Sequence, residues 1–219
     1  MRKIEDQIRR LFSEYQPGLL GQYQHFSVVI PLIEREQTWH LLYEVRSDQI
    51  SQPGDTAFPG GKVELGETYQ SAAIRECMEE LNLRFDQIEV IGQLDDLIMD
   101  QMILHSFVAL IKDIRYEEIQ ADSLEVSYLF TIPLNYLLSH TPHYYEVKTE
   151  IHFEPDFPFH LLAHGREYQF RVGKRMIPFY NLKDGYYLWG ITANLTHHFT
   201  QLLTLNRIES EEELNDRFI

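Results

Sequence analysis

Three glutamates recur at close spacing in one stretch of the chain. Glu76, Glu79 and Glu80 stand at positions i, i+3 and i+4, so a helix would place their carboxylates on one face. Like charges repel at that spacing, which makes such a face unfavourable unless a cation binds there. Mg²⁺ binds oxygen ligands, commonly one or two carboxylates together with substrate phosphates. The spacing predicts a metal-binding platform, while a solvated acidic face without a ligand fits the helix pattern equally well.

The residues around these glutamates predict a helix with one buried side. Apolar residues recur there at the spacing of a helical stripe, namely Ile74, Cys77, Met78 and Leu81. The Gly60–Gly61 pair precedes the helix, and glycine allows a backbone to approach neighbouring groups closely. Cys77 is the single cysteine of the chain, which excludes an intrachain disulfide. Its place on the apolar stripe favours a core residue over a nucleophile.

Composition limits the classes of protein to which the chain could belong. It has 219 residues, 44% of them hydrophobic and 24% charged, which is typical of a soluble globular domain. A net charge of −15 argues against a general nucleic-acid binder, which needs a basic surface. No apolar run reaches membrane-spanning length, so we predict no membrane partner. Residues 1–6 carry charges where a signal peptide is apolar, and we therefore expect a cytoplasmic protein.

The pattern of elements predicts a single domain over residues 1–219. Extended apolar runs lie before and after the central helix, with a hairpin at His25–Ile33 and Thr38–Val45, and they predict a mixed sheet packed between helices. Residues 139–185 are predicted to be irregular. The terminal segments are predicted to be a leading helix at 1–16 that packs on the core, a C-terminal helix at 188–206 and an acidic tail at 207–219.

The full spacing of the glutamate stretch resembles the Nudix box of nucleoside-diphosphate-X hydrolases. The matching positions are Gly61, Glu67, Arg75, Glu76, Glu79 and Glu80. Asn82 stands where the family has glycine, and we interpret it as a left-handed residue that ends the helix. The resemblance implies an α+β fold of the Nudix α/β/α sandwich type with a mixed sheet. It also implies an enzyme that hydrolyses phosphoanhydrides with Mg²⁺ or Mn²⁺.

The same resemblance implies roles for individual residues. The Gly60 carbonyl, Glu79 and Glu80 would bind the metal, and Glu76 would be a further ligand or the residue that activates water. Glu67 and Arg75 would orient the catalytic glutamates. The general base remains open between Glu76, Glu79 and the more distant Glu125.

Further segments are similar to the coenzyme A pyrophosphatase branch of the family. Arg46-Ser47 follows a leucine-rich strand, Phe58 opens a Phe-Pro-Gly-Gly segment, and residues 189–193 read Trp-Gly-Ile-Thr-Ala. One family arginine is absent, and Ile50 or Ser51 stands near its place. The resemblance implies substrate contacts at Arg46 and Phe58. Cations later in the chain are candidates for binding a 3′-phosphate, and we single out Arg171 and Arg175 among them.

The leading hypothesis is hydrolysis of coenzyme A or acyl-coenzyme A to 3′,5′-ADP and (acyl-)phosphopantetheine. An alternative keeps the chemistry and changes the substrate to ADP-ribose, NADH or a dinucleoside polyphosphate. A third hypothesis is that the protein is a non-catalytic nucleotide-sensing module. All three predict a nucleotide-type small molecule as the partner, and the sequence is compatible with a homodimer.

Overall fold

The computed structural model of the protein describes residues 2–182 and 185–216. The fold is α+β, with a mixed sheet between helices, as the sequence predicts. The helices are α1 (Arg2–Glu14), α2 (Tyr69–Leu81), α3 (Leu134–Ser139) and α4 (Gly190–Asp216). The strands are β1 (Gln24–Arg35), β2 (Thr38–Arg46), β3 (Thr56–Ala57), β4 (Gly60–Lys62), β5 (Ile88–Gln93), β6 (Leu97–Met99), β7 (Met102–Ile111), β8 (Val126–Pro133), β9 (His143–Lys148), β10 (Lys174–Tyr180) and β11 (Leu188–Trp189).

Strand β1 lies at the centre of the main sheet. It pairs antiparallel with β2 and parallel with β7, and this combination makes the sheet mixed. The predicted β1–β2 hairpin turns through Glu36 and Gln37, whose φ angles of 51° and 61° belong to a tight two-residue loop. The short strand β4 also pairs with β1, with Gly60 opposite Val28. The glycine turn is thereby held against the middle of the sheet.

Side chains along the strands alternate between two cores, one on each face of the sheet. The core beneath α2 includes Val29 and Leu42, whereas the core beneath α4 includes Ile30 and Tyr43. Glu44 lies two residues after Leu42 in β2, so its side chain is directed to the α2 face. The sheet therefore places a carboxylate beneath the helix that carries the glutamate cluster.

Capping interactions fix both ends of α2. The Oγ1 atom of Thr68 accepts a hydrogen bond from the backbone N–H of Ser71 at 3.1 Å, and Thr68 is the N-cap. Asn82 ends the helix in the left-handed region, with φ 49° and ψ 44°, as predicted. Cys77 is fully buried in the core, also as predicted, and burial raises the pKa of its thiol. The helix is thus anchored along one side and at both ends.

Two predicted segments differ from the structure. Residues 139–185 are not simply irregular, because they contain β9 and β10, which pair with each other and with β11 in a second sheet of three strands. Helix α4 begins at Gly190, not at residue 188, and its backbone stays helical to Asp216. Most of the stretch predicted as an acidic tail at 207–219 is therefore helical, and residues 217–219 lie outside the described part of the chain.

The leading helix forms as α1, but its predicted packing on the core is wrong. Ile8, Leu11 and Phe12 are all more than half exposed. Its amphipathic pattern predicts a helix without specifying which surface covers the apolar side. Across residues 2–182 and 185–216, every helix is too short or too polar to cross a membrane.

Candidate active site

Arg75 links three of the glutamates that the sequence singles out. Its Nε and Nη2 atoms donate to the two carboxylate oxygens of Glu67 at 2.8 and 3.0 Å. Its Nη1 atom donates to Glu76 at 2.8 Å and to Glu79 at 3.2 Å. The bidentate contact with Arg75 holds the pKa of Glu67 at about 2. One guanidinium therefore couples the positions of three carboxylates, all of them predicted site residues.

The Gly60–Gly61 turn lies directly against the glutamates, as the glycine pair predicts. The backbone N–H of Gly60 donates to Oε2 of Glu80 at 2.8 Å. A Cβ atom on Gly61 would collide with the carboxylate of Glu76, and one on Gly60 would collide with the backbone of β1. Arg75 also donates to the carbonyl of Lys62 at 3.2 Å, which ties α2 to the end of β4. Both glycines are required by close approach.

The three glutamates of α2 do not share one exposed face, which corrects the prediction. The side chain of Glu79 is 60% exposed and that of Glu76 is 17% exposed. Glu80 is only 3% exposed and lies among the buried residues of the helix. Burial raises the pKa of Glu76 and of Glu80, and Glu44 raises that of Glu80 further. The cluster therefore extends from the surface into the interior.

Glu44 is a member of this cluster that the sequence analysis did not identify. It is 1% exposed, and its Oε2 atom is a buried oxygen without a hydrogen-bond partner in the described residues. Burial raises the pKa of Glu44, and the charges of Glu125 and Glu76 add to the effect. A signal was present in the sequence, since Glu44 is the single charged residue between Leu41 and Val45.

Exposed Glu125 lies at the margin of the cluster. Its charge contributes to the raised pKa of Glu44, Glu76 and Glu80, which places it near all three. Its backbone carbonyl accepts a hydrogen bond from the N–H of Ser47 at 2.8 Å, so it is anchored to the end of β2. This position keeps Glu125 among the candidates for the general base.

The donor atoms of the site suit a hard divalent cation. Its ligands would be carboxylate oxygens and the Gly60 carbonyl, which are the groups that Mg²⁺ and Mn²⁺ prefer. Among the described residues, no three carboxylate or imidazole groups are already arranged around one point as metal ligands. Arg75 engages one oxygen of Glu76 and one of Glu79, and each carboxylate can still bind a cation through its second oxygen. The unpartnered oxygen of Glu44 indicates that negative charge in the interior is not fully balanced.

A cleft of about 730 Å³ adjoins the carboxylates at Gly60, which belongs to both. Arg46, Phe58 and Arg175 line this cleft, and their role as substrate contacts stays a prediction. Nε of Arg46 donates to the carbonyl of Ser51 at 2.8 Å, and Arg175 forms an ion pair with Asp100. Within the described residues, two arginines thus line the same cleft as Gly60.

The fourth predicted substrate contact, Arg171, is not among the described residues that line the cleft. It lies outside β10, which begins at Lys174, and so it is not held beside Arg175 by the sheet. Trp189 does line the cleft, and its ring stacks on Phe179 with centroids 5.5 Å apart. The second sheet therefore contributes one aromatic wall and one of the cations.

The protein is an α/β/α sandwich that carries a cluster of carboxylates beside a cleft. The oxygen atoms of this cluster are of the kind that binds divalent cations, which defines the class of protein. Residues 23–150 match the NUDIX domain model, and the chain belongs to the Nudix hydrolase family. Nudix hydrolases generally use divalent metal ions and act on nucleotide-type substrates. Assignment of all residues 1–219 to one domain stays a prediction.

The chain is similar in sequence or fold to several named Nudix proteins. The chain is 37% identical over 123 residues to the mouse peroxisomal coenzyme A diphosphatase NUDT7, covering 55% of this chain and 51% of that protein. It thus spans about half the length of the mouse relative. It is 25% identical over 206 residues to the Nudix hydrolase NudL of Photorhabdus laumondii, covering 92% and 98%. A Caenorhabditis elegans Ap4A hydrolase structure aligns with a TM-score of 0.44 at 19% identity, over 50% of this chain and 80% of that one.

Proposed function

We propose that the protein is a metal-dependent diphosphatase that cleaves the phosphoanhydride of coenzyme A or acyl-coenzyme A. The products would be 3′,5′-ADP and (acyl-)phosphopantetheine. The observation that carries the proposal is the carboxylate cluster held by Arg75 against Gly60, with the cleft adjoining at the same turn. A diphosphate in the cleft would therefore lie next to the carboxylates.

The residues have separate tasks in this mechanism. Glu76, Glu79, Glu80 and the Gly60 carbonyl would hold the divalent cation. A bound cation would neutralise diphosphate oxygens and lower the pKa of a bound water. The bidentate pair of Glu67 and Arg75 limits the orientations open to the catalytic glutamates.

The proton of the attacking water passes to a carboxylate. Glu76, Glu79 and Glu125 are the three candidates. The raised pKa of Glu76 supports it as a stronger base, and the exposed position of Glu125 supports it as a base that is free of the metal. The pH dependence of kcat in Gln variants of each residue would identify the base, because its removal abolishes the acidic limb of the profile.

The size and the lining of the cleft support a nucleotide-type substrate. Its volume of about 730 Å³ lies within the range of small-molecule sites. Arg46 and Arg175 supply positive charge for phosphate groups, and the ring of Trp189 supplies a flat apolar wall for a base. The name of the mouse relative adds support for coenzyme A. We assign no substrate contact to Arg171.

A substrate panel tests the proposal. Purified protein would be assayed with Mg²⁺ or Mn²⁺ on coenzyme A, dephospho-coenzyme A, ADP-ribose, NADH and a dinucleoside polyphosphate, with chelator as the control. We expect the highest kcat/KM for coenzyme A and no turnover with chelator. Preference for ADP-ribose or another nucleotide would select the alternative substrate, and tight binding without turnover on any of them would favour the nucleotide-sensing module. The cytoplasmic location and the homodimer stay predictions.

A further inference from the structure

Glu44 occupies an unusual position for a carboxylate. It lies within β2, opposite Ala57 of β3 on one side and Leu129 of β8 on the other. This pairing fixes the backbone of Glu44 within the sheet, and its side chain, on the α2 face, is 1% exposed. Its carboxylate must therefore find its partner inside the protein.

The described residues provide no full partner for this carboxylate. Oε2 of Glu44 has no hydrogen bond. The nearest cation along the strand, Arg46, donates instead to the carbonyl and the hydroxyl of Ser51, at 2.8 and 3.3 Å. A buried charge without a partner is strongly unfavourable, so a further positive group is expected at this place.

Glu80 faces the same region from the helix. It is 3% exposed, and its Oε2 atom accepts a hydrogen bond from the N–H of Gly60 at 2.8 Å. Glu44 is directed to the face of the sheet that α2 covers, and Glu80 is one of the buried residues of that helix. Two carboxylates from different elements are thus buried beneath the same helix, and one of them accepts a hydrogen bond from the glycine turn.

We propose that Glu44 is a further ligand of the divalent cation, so that the site joins strand β2 to helix α2. Glu44 stands outside the Nudix box, and the box residues alone do not predict it. This inference rests on the proposed function, because it takes the α2 glutamates as the metal site. Glu44 and Glu80 would then bind the cation together, one from the strand and one from the helix.

A second explanation for the buried pair is one proton shared between Glu44 and Glu80. The two explanations differ in what a glutamine at position 44 would do. If Glu44 binds the cation, Glu44→Gln weakens metal binding. If the pair holds only a proton, the same variant leaves metal binding unchanged or tightens it, because Glu80 becomes ionised more easily.

Direct titration of the metal-free full-length protein with Mn²⁺ by calorimetry separates these outcomes. We expect Glu44→Gln to weaken Mn²⁺ binding by about 10- to 100-fold. Glu34→Gln is the matched control, since Glu34 is an exposed glutamate in the neighbouring strand β1, and it should bind Mn²⁺ as the native protein does. Affinity of Glu44→Gln within about twofold of native would overturn the inference.

Two further measurements separate a failure of the Glu44 proposal from a change in folding and from a failure of the α2 metal site. In thermal unfolding without metal at neutral pH, Glu44→Gln should melt no lower than the native protein, because it removes an unbalanced buried charge. A clearly lower Tm would show that the carboxylate has a structural partner, which also contradicts the inference. Glu80→Gln shows whether the proposed function itself fails. If this variant binds Mn²⁺ as the native protein does, the α2 glutamates do not form the metal site, and the failure is not limited to the role of Glu44.

Discussion

Arg75 couples the positions of the candidate catalytic groups at the scale of single residues. One guanidinium contacts Glu67 in bidentate fashion and reaches Glu76 and Glu79 with its remaining nitrogen. A carboxylate that must bind a cation needs a defined orientation, and such supporting contacts commonly matter almost as much as the ligands. Arg75 is therefore a positioning residue whose loss should affect turnover more than folding.

Replacement of Arg75 by lysine tests this role. A lysine keeps the charge but cannot make a bidentate contact with Glu67 while also reaching Glu76. We expect kcat for the preferred substrate to fall by about 10- to 100-fold, with a loss of about 1 kcal/mol or less in the free energy of unfolding. Arg84→Lys is the control, because Arg84 forms an exposed pair with Asp86. Equal kcat for Arg75→Lys and the native enzyme would remove Arg75 from the mechanism.

The buried pair of Glu44 and Glu80 predicts how metal-free stability depends on pH. Burial raises the pKa of both carboxyls above their values in the unfolded chain, so the folded state holds their protons more tightly. Their contribution to stability is complete below the unfolded pKa of about 4.3 and is lost as pH rises through the higher folded values.

Thermal unfolding in chelator should therefore show Tm falling as pH is raised from about 5 to about 9. Mg²⁺ should restore more stability at the upper end of this range, where the carboxylates are ionised. Glu80→Gln should flatten the metal-free profile, because one of the two titrating carboxyls is gone. A native Tm that rises or stays level over the same range would contradict the assignment of a raised pKa.

The glycine turn and helix α2 act as one unit at the scale of elements. The turn contacts Glu76 and Glu80, and the pairing of β4 with β1 holds it in place. A Cβ atom at Gly61 would displace the carboxylate of Glu76. Displacements of about 1 Å in a catalytic group can reduce turnover by about 100-fold.

Gly61→Ala should accordingly reduce kcat by about 100-fold while the protein remains folded. Gly92→Ala is a close control, because Gly92 also lies in a strand and a Cβ atom there would meet no neighbour within 4 Å. Circular dichroism and steady-state kinetics on both variants provide the comparison. Full activity in Gly61→Ala would mean that Glu76 can move aside at no cost, and its proposed role would be wrong.

Local sequence predicts the parts of this protein that depend on neighbours along the chain. The helix around Arg75 and the cap at Asn82 follow from periodicity and from short-range hydrogen bonds. Glu44 was missed because its importance depends on Glu80, which meets it only after the strand packs beneath the helix. Strands β9 and β10 were missed for a similar reason, since a long connection separates the two partners. Helix α1 is the opposite case. Its local pattern correctly predicts a helix, but the helix stays exposed and does not pack on the core as expected.

At the scale of the whole molecule, the carboxylate cluster and the substrate cleft are built from different elements. The carboxylate cluster lies toward α2, and the cleft extends toward α4 and the second sheet, which contributes Arg175. Gly60 connects the two regions. Chemistry and substrate selection are therefore carried by different elements, and they should respond separately to substitution.

Arg175→Ala tests this separation. Loss of a cation from the cleft should lower kcat/KM for coenzyme A by about 10-fold or more, and should change that for dephospho-coenzyme A less, if Arg175 binds the additional phosphate. Lys174→Ala is the neighbouring control, because Lys174 pairs with Glu146 across the second sheet. Equal losses on both substrates would assign Arg175 to the diphosphate or to structure instead of the 3′-phosphate.

The most direct test of the central claim is the rate of Mg²⁺-dependent diphosphate hydrolysis by the native protein and by Glu80→Gln. The substrate would be the one preferred in the panel, with folding of the variant checked by its melting curve. We expect turnover that requires the metal and a loss of at least about 100-fold in kcat on removing this one carboxylate. Native-like kcat in a folded Glu80→Gln variant, or hydrolysis that persists in chelator, would contradict it.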